Sequence, residues 1–109
     1  MRIYISGPIT GTTDYKERFA AAEEKLKANG YEVVNPARVT ESLPESLTWE
    51  QYMGVAVCVM ALCDSIYMLN GWRDSRGAKL EHKIMLNDGR KVLYEDGNDT
   101  GGIDKWAKK

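Results

Sequence analysis

One glutamate of the chain, Glu81, lies in a setting that suits it for chemistry. A helix is predicted to open near Ser75, and Glu81 falls within its first two turns. A helix N-terminus has free N–H groups and a positive potential, and both attract anions. Helical spacing places Glu81 on the same face as the small residues Gly77 and Ala78, which leaves room for a ligand. A carboxylate there can attack a sugar carbon, as in retaining glycosidases, whereas the ordinary alternative is a solvated glutamate.

A second group of candidates stands at the start of the chain, where residues 2–6 are predicted to form a strand. Tyr4 alternates with two isoleucines in this strand. Its phenol either packs in the core or meets Glu81 near the strand end and orients it. The following turn either only ends the strand or lines a phosphate or sugar cradle with its N–H groups, and it consists of Ser6, Gly7 and Pro8.

The turn before the helix of Glu81 supplies the remaining candidates. Asn70 and Gly71 end an apolar run that is predicted to be a strand. Trp72 either stacks on a base or covers the edge of the sheet. Asp74 and Ser75 either have no role beyond capping the helix, or Ser75 also binds a phosphate. Capping and phosphate binding are compatible because both use the same N–H-rich end of the helix.

The elements that must position these residues follow a regular alternation. Strands are predicted at 2–6, 31–34, 65–69 and 91–94, and the helices between them at 14–29, 48–62 and 75–88. This order predicts one α/β domain over residues 1–109, a flavodoxin-like or Rossmann-like three-layer sandwich with a parallel sheet of four to five strands. Ligands bind such sheets beyond the carboxyl ends of the strands. The loops at that edge are 7–14, 35–47, 70–75 and 95–102.

Several local features carry further expectations. Capping boxes are predicted from the pairs Asp14/Glu17 and Thr48/Gln51. Residues 37–47 are expected to be irregular, and a short helix is expected at 103–107. The helix at 48–62 is apolar on almost all sides, so it should be buried on two sides. In so small a domain the second side predicts a homodimer through this helix.

Composition narrows the class of protein. The basic and acidic residues are spread along the chain and give a net charge of −1, so no duplex nucleic acid is expected as a partner. No apolar run approaches the roughly 18 residues of a membrane span, and no signal peptide precedes the first strand, which predicts a cytoplasmic protein. Cys58 and Cys63 are expected to be buried reduced thiols. With the lone His82 they supply too few ligands for zinc, and no metal is expected.

Two motifs resemble those of the nucleoside 2-deoxyribosyltransferase superfamily, which includes the transferases and the 2′-deoxynucleoside 5′-monophosphate N-hydrolases. Tyr4-Ile5-Ser6-Gly7-Pro8 resembles Tyr-x-[Ala/Ser]-Gly-Pro. Ser75-Arg76-Gly77-Ala78-Lys79-Leu80-Glu81 resembles [Asp/Ser]-x-Gly-x-x-x-Glu. The resemblance covers roughly residues 1–94, and it is greatest to a phage and bacterial branch.

The resemblance implies an activity and a role for each motif residue. Glu81 would be the nucleophile on the anomeric carbon, Tyr4 would position it, and Ser75 would bind a 5′-phosphate. Transferases have aspartate where this chain has Asn70 and Ser75, so cleavage of a (deoxy)nucleoside 5′-monophosphate is favoured, without a cofactor. A nucleoside deoxyribosyltransferase and a non-catalytic nucleotide-binding module are the alternatives. Asp74, or a group from a neighbouring subunit, is the candidate proton donor for the leaving base.

Overall fold

A parallel four-stranded sheet forms the centre of the protein. The computed structural model describes residues 1–96, so the helix predicted at 103–107 lies outside the described residues. The strands pair in the order β2-β1-β3-β4, and every pairing is parallel. They are β1 (Arg2–Ser6), β2 (Glu32–Val34), β3 (Ser65–Met68) and β4 (Lys91–Tyr94). All four lie where the alternation predicts them.

Helices cover both faces of the sheet. Helix α1 (Tyr15–Ala28) packs on one face, and helices α3 (Trp49–Met60) and α4 (Arg76–Asn87) pack on the other. Successive side chains of a strand point to opposite faces. Strand β1 therefore directs Ile3 and Ile5 into the core beneath α1, and Tyr4 into the core beneath α3 and α4. The α/β three-layer sandwich is confirmed.

The starts of the helices show where local sequence decides the structure. The capping box of α3 is present, since the Thr48 hydroxyl accepts from Gln51 N–H and the Gln51 side chain accepts from Thr48 N–H. The capping box predicted for α1 is wrong, because the Asp14 side chain makes no cap hydrogen bond. The backbone of Asp14, at φ −114° and ψ 15°, differs from the extended conformation usual at this position.

The loop after β2 is more regular than expected. It contains a short helix, α2 (Pro36–Val39), and a 3₁₀ turn at Thr40–Ser42. Asn35 caps α2 by accepting from Ala37 N–H, and Pro36 has its φ angle already fixed for the first helical position. Asn35-Pro36 therefore ends a strand and begins a helix at the same point.

Helix α3 is buried on one side only in the single chain. Its buried residues are Met53, Ala56 and Met60, and the others are half-buried or exposed.

Both cysteines are free thiols, but Cys58 is exposed, so the expectation of two buried thiols is wrong for it. Cys63 is buried, and burial raises its pKa to about 11. None of the helices in residues 1–96 is both long and apolar enough to cross a membrane.

The strand order creates a crevice at the carboxyl ends of β1 and β3. From β1 the chain passes to β2 on one side, and it then returns to β3 on the other side. The connections after β1 and β3 thus diverge, which opens the usual ligand crevice of such sheets. The two strand ends stay close because Gly7 has no side chain, since a Cβ there would lie 2.8 Å from Leu69 Cβ.

Candidate active site

The carboxylate of Glu81 lies at this crevice and is held by two hydroxyl groups. The Tyr4 hydroxyl donates to Oε2 of Glu81 at 2.8 Å, and the Ser6 hydroxyl donates to Oε1 at 2.6 Å. All three residues are buried. Each carboxylate oxygen therefore has one hydroxyl donor, which fixes the orientation of the whole group.

The local sequence explains why these side chains meet. Tyr4 and Ser6 are two residues apart in β1, so they point to the same face of the sheet. Helix α4 crosses that face, and its N-cap is Ser75, whose hydroxyl accepts from Ala78 N–H at 3.2 Å. Glu81 lies in the second turn of α4 and reaches back to β1.

Burial and hydrogen bonding act in opposite directions on the charge of Glu81. Burial raises the pKa of its carboxyl, and the hydrogen bonds from Ser6 and Tyr4 lower it, with a net pKa above the ordinary value. Burial and the nearby Glu81 also raise the pKa of two phenols, to about 12 for Tyr52 and well above the ordinary value for Tyr4. Both phenols therefore stay neutral at physiological pH.

A small cavity of about 40 Å³ adjoins the Glu81 carboxylate. Ser75 and Gly77 of the α4 N-terminus line it together with Tyr4, Ser6 and Glu81. Part of the space beside Gly77 is already occupied, because a Cβ on Gly77 would lie 3.0 Å from the sulfur of Met53. Methionine is flexible and adapts its shape readily, so this wall is deformable.

A larger groove of about 490 Å³ adjoins the cavity. Four residues line both spaces, namely Ile9, Thr10, Trp49 and Tyr52. The guanidinium of Arg76 lies 3.7 Å from the centre of the Trp49 ring and stabilises this aromatic wall. The groove extends from there between the loop after β1 and the segment 37–52.

Several predicted site residues lie outside the cavity. Asn70, Gly71 and Trp72 line a separate depression with Arg73 and Asp96, and Asp74 is exposed at the end of a 3₁₀ turn, Trp72–Asp74. The backbone of Asn70 bonds instead to the side chains of Arg18 and Glu95. Gly7 lines the cavity, whereas Pro8 does not, and a Cβ on Gly71 would lie 3.3 Å from Pro8 Cγ.

Trp72 has a packing role, the second of its two interpretations. It is buried, and its ring stacks on His82 at a centroid distance of 4.1 Å. The imidazole of His82 in turn hydrogen-bonds the Tyr94 hydroxyl at 2.8 Å. This cluster covers the β4 side of the sheet, so the Trp72 ring is not available to a ligand at Glu81.

Several residues of the cavity wall were not predicted from the sequence, and three of them belong to helix α3. Trp49, Tyr52 and Met53 have the pattern of apolar helix positions, yet all three line the cavity. A usable signal was present in the chain order. Helix α3 follows a loop at the carboxyl edge of the sheet, so its first turn must begin at that same edge. Within residues 1–96 no three His, Cys, Asp or Glu side chains are grouped closely enough to hold a metal ion.

The fold and the site together define an α/β sandwich with a buried, hydroxyl-bonded carboxylate at the crevice of a parallel sheet. Residues 1–94 match a family described as a domain of unknown function, DUF4406. The chain belongs to this family. No curated protein matches the sequence. The description of the family specifies no activity.

Proposed function

We propose that the protein cleaves the N-glycosidic bond of a (deoxy)nucleoside 5′-monophosphate. The observation that carries this proposal is the pair of hydrogen bonds that hold the Glu81 carboxylate at a cavity also lined by Ser75. A fixed, buried carboxylate at a small cavity suits nucleophilic attack on an anomeric carbon. The resemblance of the two sequence motifs to the deoxyribosyltransferase superfamily agrees with this reaction.

The reaction proceeds in two steps. An oxygen of ionised Glu81 attacks the anomeric carbon, the bond from carbon to base nitrogen breaks, and the base departs with the bonding pair and takes up a proton. Water then attacks the anomeric carbon of the sugar ester. This second step releases the sugar 5-phosphate, regenerates the Glu81 carboxylate and gives one proton from the attacking water to solvent, which replaces the proton that the base took up.

Substrate binding uses the two adjoining spaces. Drug-sized ligands occupy sites of about 300–1,000 Å³, so the cavity of about 40 Å³ cannot hold a nucleotide by itself. We place the sugar at Glu81, where it displaces the flexible Met53 side chain, and the base in the groove beyond Tyr52. A Ser75 hydroxyl that accepts one hydrogen bond still has its hydrogen to donate, and we assign it to the 5′-phosphate.

The proton for the leaving base has no evident source among the cavity residues. Asp74, the candidate from the sequence, is exposed and does not line the cavity. Tyr52 lines it, but a phenol with a pKa of about 12 is a weak acid at neutral pH. We therefore propose that the base takes its proton from water in the open groove.

The same observation favours a second candidate, a nucleotide-binding module without catalysis. Such a module would keep the cavity and the α4 N-terminus but would lack an acid for the leaving group. A panel of nucleoside 5′-monophosphates separates the two, with free base measured by chromatography and binding by thermal shift. Base release supports the hydrolase, a thermal shift without release supports the module, and neither result contradicts both. Transfer of the sugar to an added second base would identify a transferase.

We also propose that the protein is a homodimer through the helix predicted at 48–62. Around α3, Leu62 keeps 63% of its surface exposed, and Val55, Val57 and Val59 are only half-buried. Exposed apolar surface on a helix favours a protein partner.

A nucleotide substrate and free thiols agree with a cytoplasmic location.

A further inference from the structure

Ser6 has a hydrogen-bonding role that neither motif nor family description assigns. Its side chain is buried at the end of β1, and its hydroxyl donates to Oε1 of Glu81 at 2.6 Å. This bond is shorter than the 2.8 Å bond from Tyr4 to the other oxygen. Short hydrogen bonds from a hydroxyl to a carboxylate are among the strong ones in proteins.

We propose that Ser6 is a positioning residue for Glu81: its hydroxyl fixes Oε1 and keeps the buried carboxylate ionised. This inference rests on the proposed function for its catalytic meaning, but the contact itself does not. With Tyr4 alone, the carboxyl could turn about its terminal bond, since that torsion is broad. With a donor on each oxygen, both the orientation and the charge are set before substrate binds.

The titratable groups from β1 and α3 that face Glu81 are neutral near neutral pH. The hydrogen bond from Ser6 therefore has a strong influence on the charge of the Glu81 carboxyl. From β1 the titratable neighbour is Tyr4, and from α3 it is Tyr52. Both phenols have raised pKa values and stay neutral. The first turn of α4 contributes Arg76, whose guanidinium lies over the Trp49 ring, and β3 contributes the apolar Ile66 and Met68 to this face. Of the two bonds that lower the pKa of Glu81, the one from Ser6 has the larger effect.

A purely structural role is the competing interpretation, because most buried hydroxyls in proteins have a hydrogen-bond partner. The neighbouring strand offers a matched control. Ser65 of β3 is equally buried, and among the described residues its hydroxyl has no hydrogen-bond partner. Ser65→Ala removes the same atom from the same sheet without touching Glu81.

The test is a ¹³C NMR titration of the Glu81 side-chain carboxyl in the full chain, with Glu81→Gln identifying the resonance. The free energy of a hydrogen bond to a charged group corresponds to a pKa shift of about 1–2 units. Loss of the hydroxyl in Ser6→Ala should therefore raise the Glu81 pKa by that amount. Ser65→Ala should leave it unchanged, and Ser6→Thr, which restores the hydroxyl, should bring it back toward the wild-type value. Should Ser6→Ala not fold, Ser6→Cys keeps the volume with only a weak donor and should also raise the pKa.

An unchanged Glu81 pKa in Ser6→Ala or Ser6→Cys overturns the proposal, whatever the protein catalyses. An equal rise in Ser65→Ala overturns it as well, because the effect would then be a general one of the sheet. The proposed function fails separately, if no nucleotide releases base while the titration still gives the expected rise. If base is released, the acidic limb of the kcat/KM profile of Ser6→Ala should move to higher pH by the same amount.

Discussion

The Tyr4 hydroxyl donates a 2.8 Å hydrogen bond to Glu81, although 77 residues separate the two in the sequence. One residue lies in the first strand and the other in the last described helix. The fold brings them together because α4 crosses the face of the sheet to which Tyr4 points. This contact joins the two sequence motifs into one site.

Tyr4→Phe should lower base release by about tenfold to a hundredfold. The ring and its packing remain, but Oε2 of Glu81 loses its donor, and a hydrogen bond to a charged group is worth about 1.5–3 kcal/mol. The measurement is kcat/KM for the best nucleotide. Tyr67→Phe is the matched control, since Tyr67 is a buried tyrosine on the opposite face of the sheet. Equal losses in the two variants would argue against a specific role for Tyr4.

Glu81→Gln should abolish base release and, at the same time, stabilise the protein. A buried carboxyl with a raised pKa stabilises the fold below its unfolded-state pKa, and this contribution is lost as pH rises through the folded-state pKa. Glutamine carries no charge, so the variant avoids that loss. Its Tm should exceed that of wild type at pH 8 by more than at pH 4, and each kcal/mol is worth about 4–8 °C in a small domain. A lower Tm at pH 8 would contradict the buried placement of the charge.

A second buried carboxylate predicts the opposite pH dependence. Glu23 accepts from Asn35 at 3.1 Å and from Arg38 at 2.7 Å, and it forms an ion pair with Lys27 at 2.7 Å. Burial alone would raise its pKa, but the bonds from Lys27, Arg38 and Asn35 outweigh this and lower it to about 2. The stability it contributes is present above the ordinary pKa of 4.5 and is lost as pH falls through about 2.

Glu23→Gln should remove that acid sensitivity. The contribution at stake is at most about 3.5 kcal/mol, because a tenfold change in a proton-binding constant between the unfolded and folded states corresponds to about 1.4 kcal/mol. Urea unfolding at pH 7, 4 and 2.5 measures it. The difference between wild type and variant should shrink as the pH falls. A constant difference across this range would mean that the charge of Glu23 does not stabilise the fold.

Two glycine substitutions should have opposite effects on stability. Gly7→Ala forces a Cβ to within 2.8 Å of Leu69 Cβ and should destabilise the protein by about 1–3 kcal/mol. Gly54→Ala meets no atom within 4 Å and should stabilise α3 by about 0.5–1 kcal/mol. Thermal unfolding of both variants checks this. If the proposed homodimer packs closely at Gly54, its alanine variant will instead destabilise the protein and weaken association.

Much of the fold follows from the sequence because it depends on local rules. The capping box at Thr48 and the strands follow from residue types at fixed spacing, which tertiary packing did not override. Asp14 has the residue type and spacing of a capping box, but its side chain makes no cap hydrogen bond, because its backbone does not adopt the conformation that the cap needs. The site was predictable where two motifs had to meet, as at Tyr4 and Glu81.

The remaining parts of the site depend on contacts between distant elements. The approach of Tyr52 and Met53 to Glu81 depends on how α3 lies across the sheet, and no residue pattern within α3 encodes that. The place of Trp72 after β3 suggests a ring that is available to stack on a base. The ring instead stacks on His82, whose position depends on the rotation of α4.

The most direct measurement of the central claim is the mass of the enzyme during turnover of a slow substrate. A 2′-fluoro-2′-deoxynucleoside 5′-monophosphate should destabilise the transition state and allow the sugar ester to accumulate. Rapid acid quenching, digestion and mass spectrometry should then find the fluorinated sugar phosphate on the peptide that contains Glu81, with free base released in equal amount. Base release without an adduct on that peptide, or an adduct in Glu81→Gln, would contradict the assignment of Glu81 as the nucleophile.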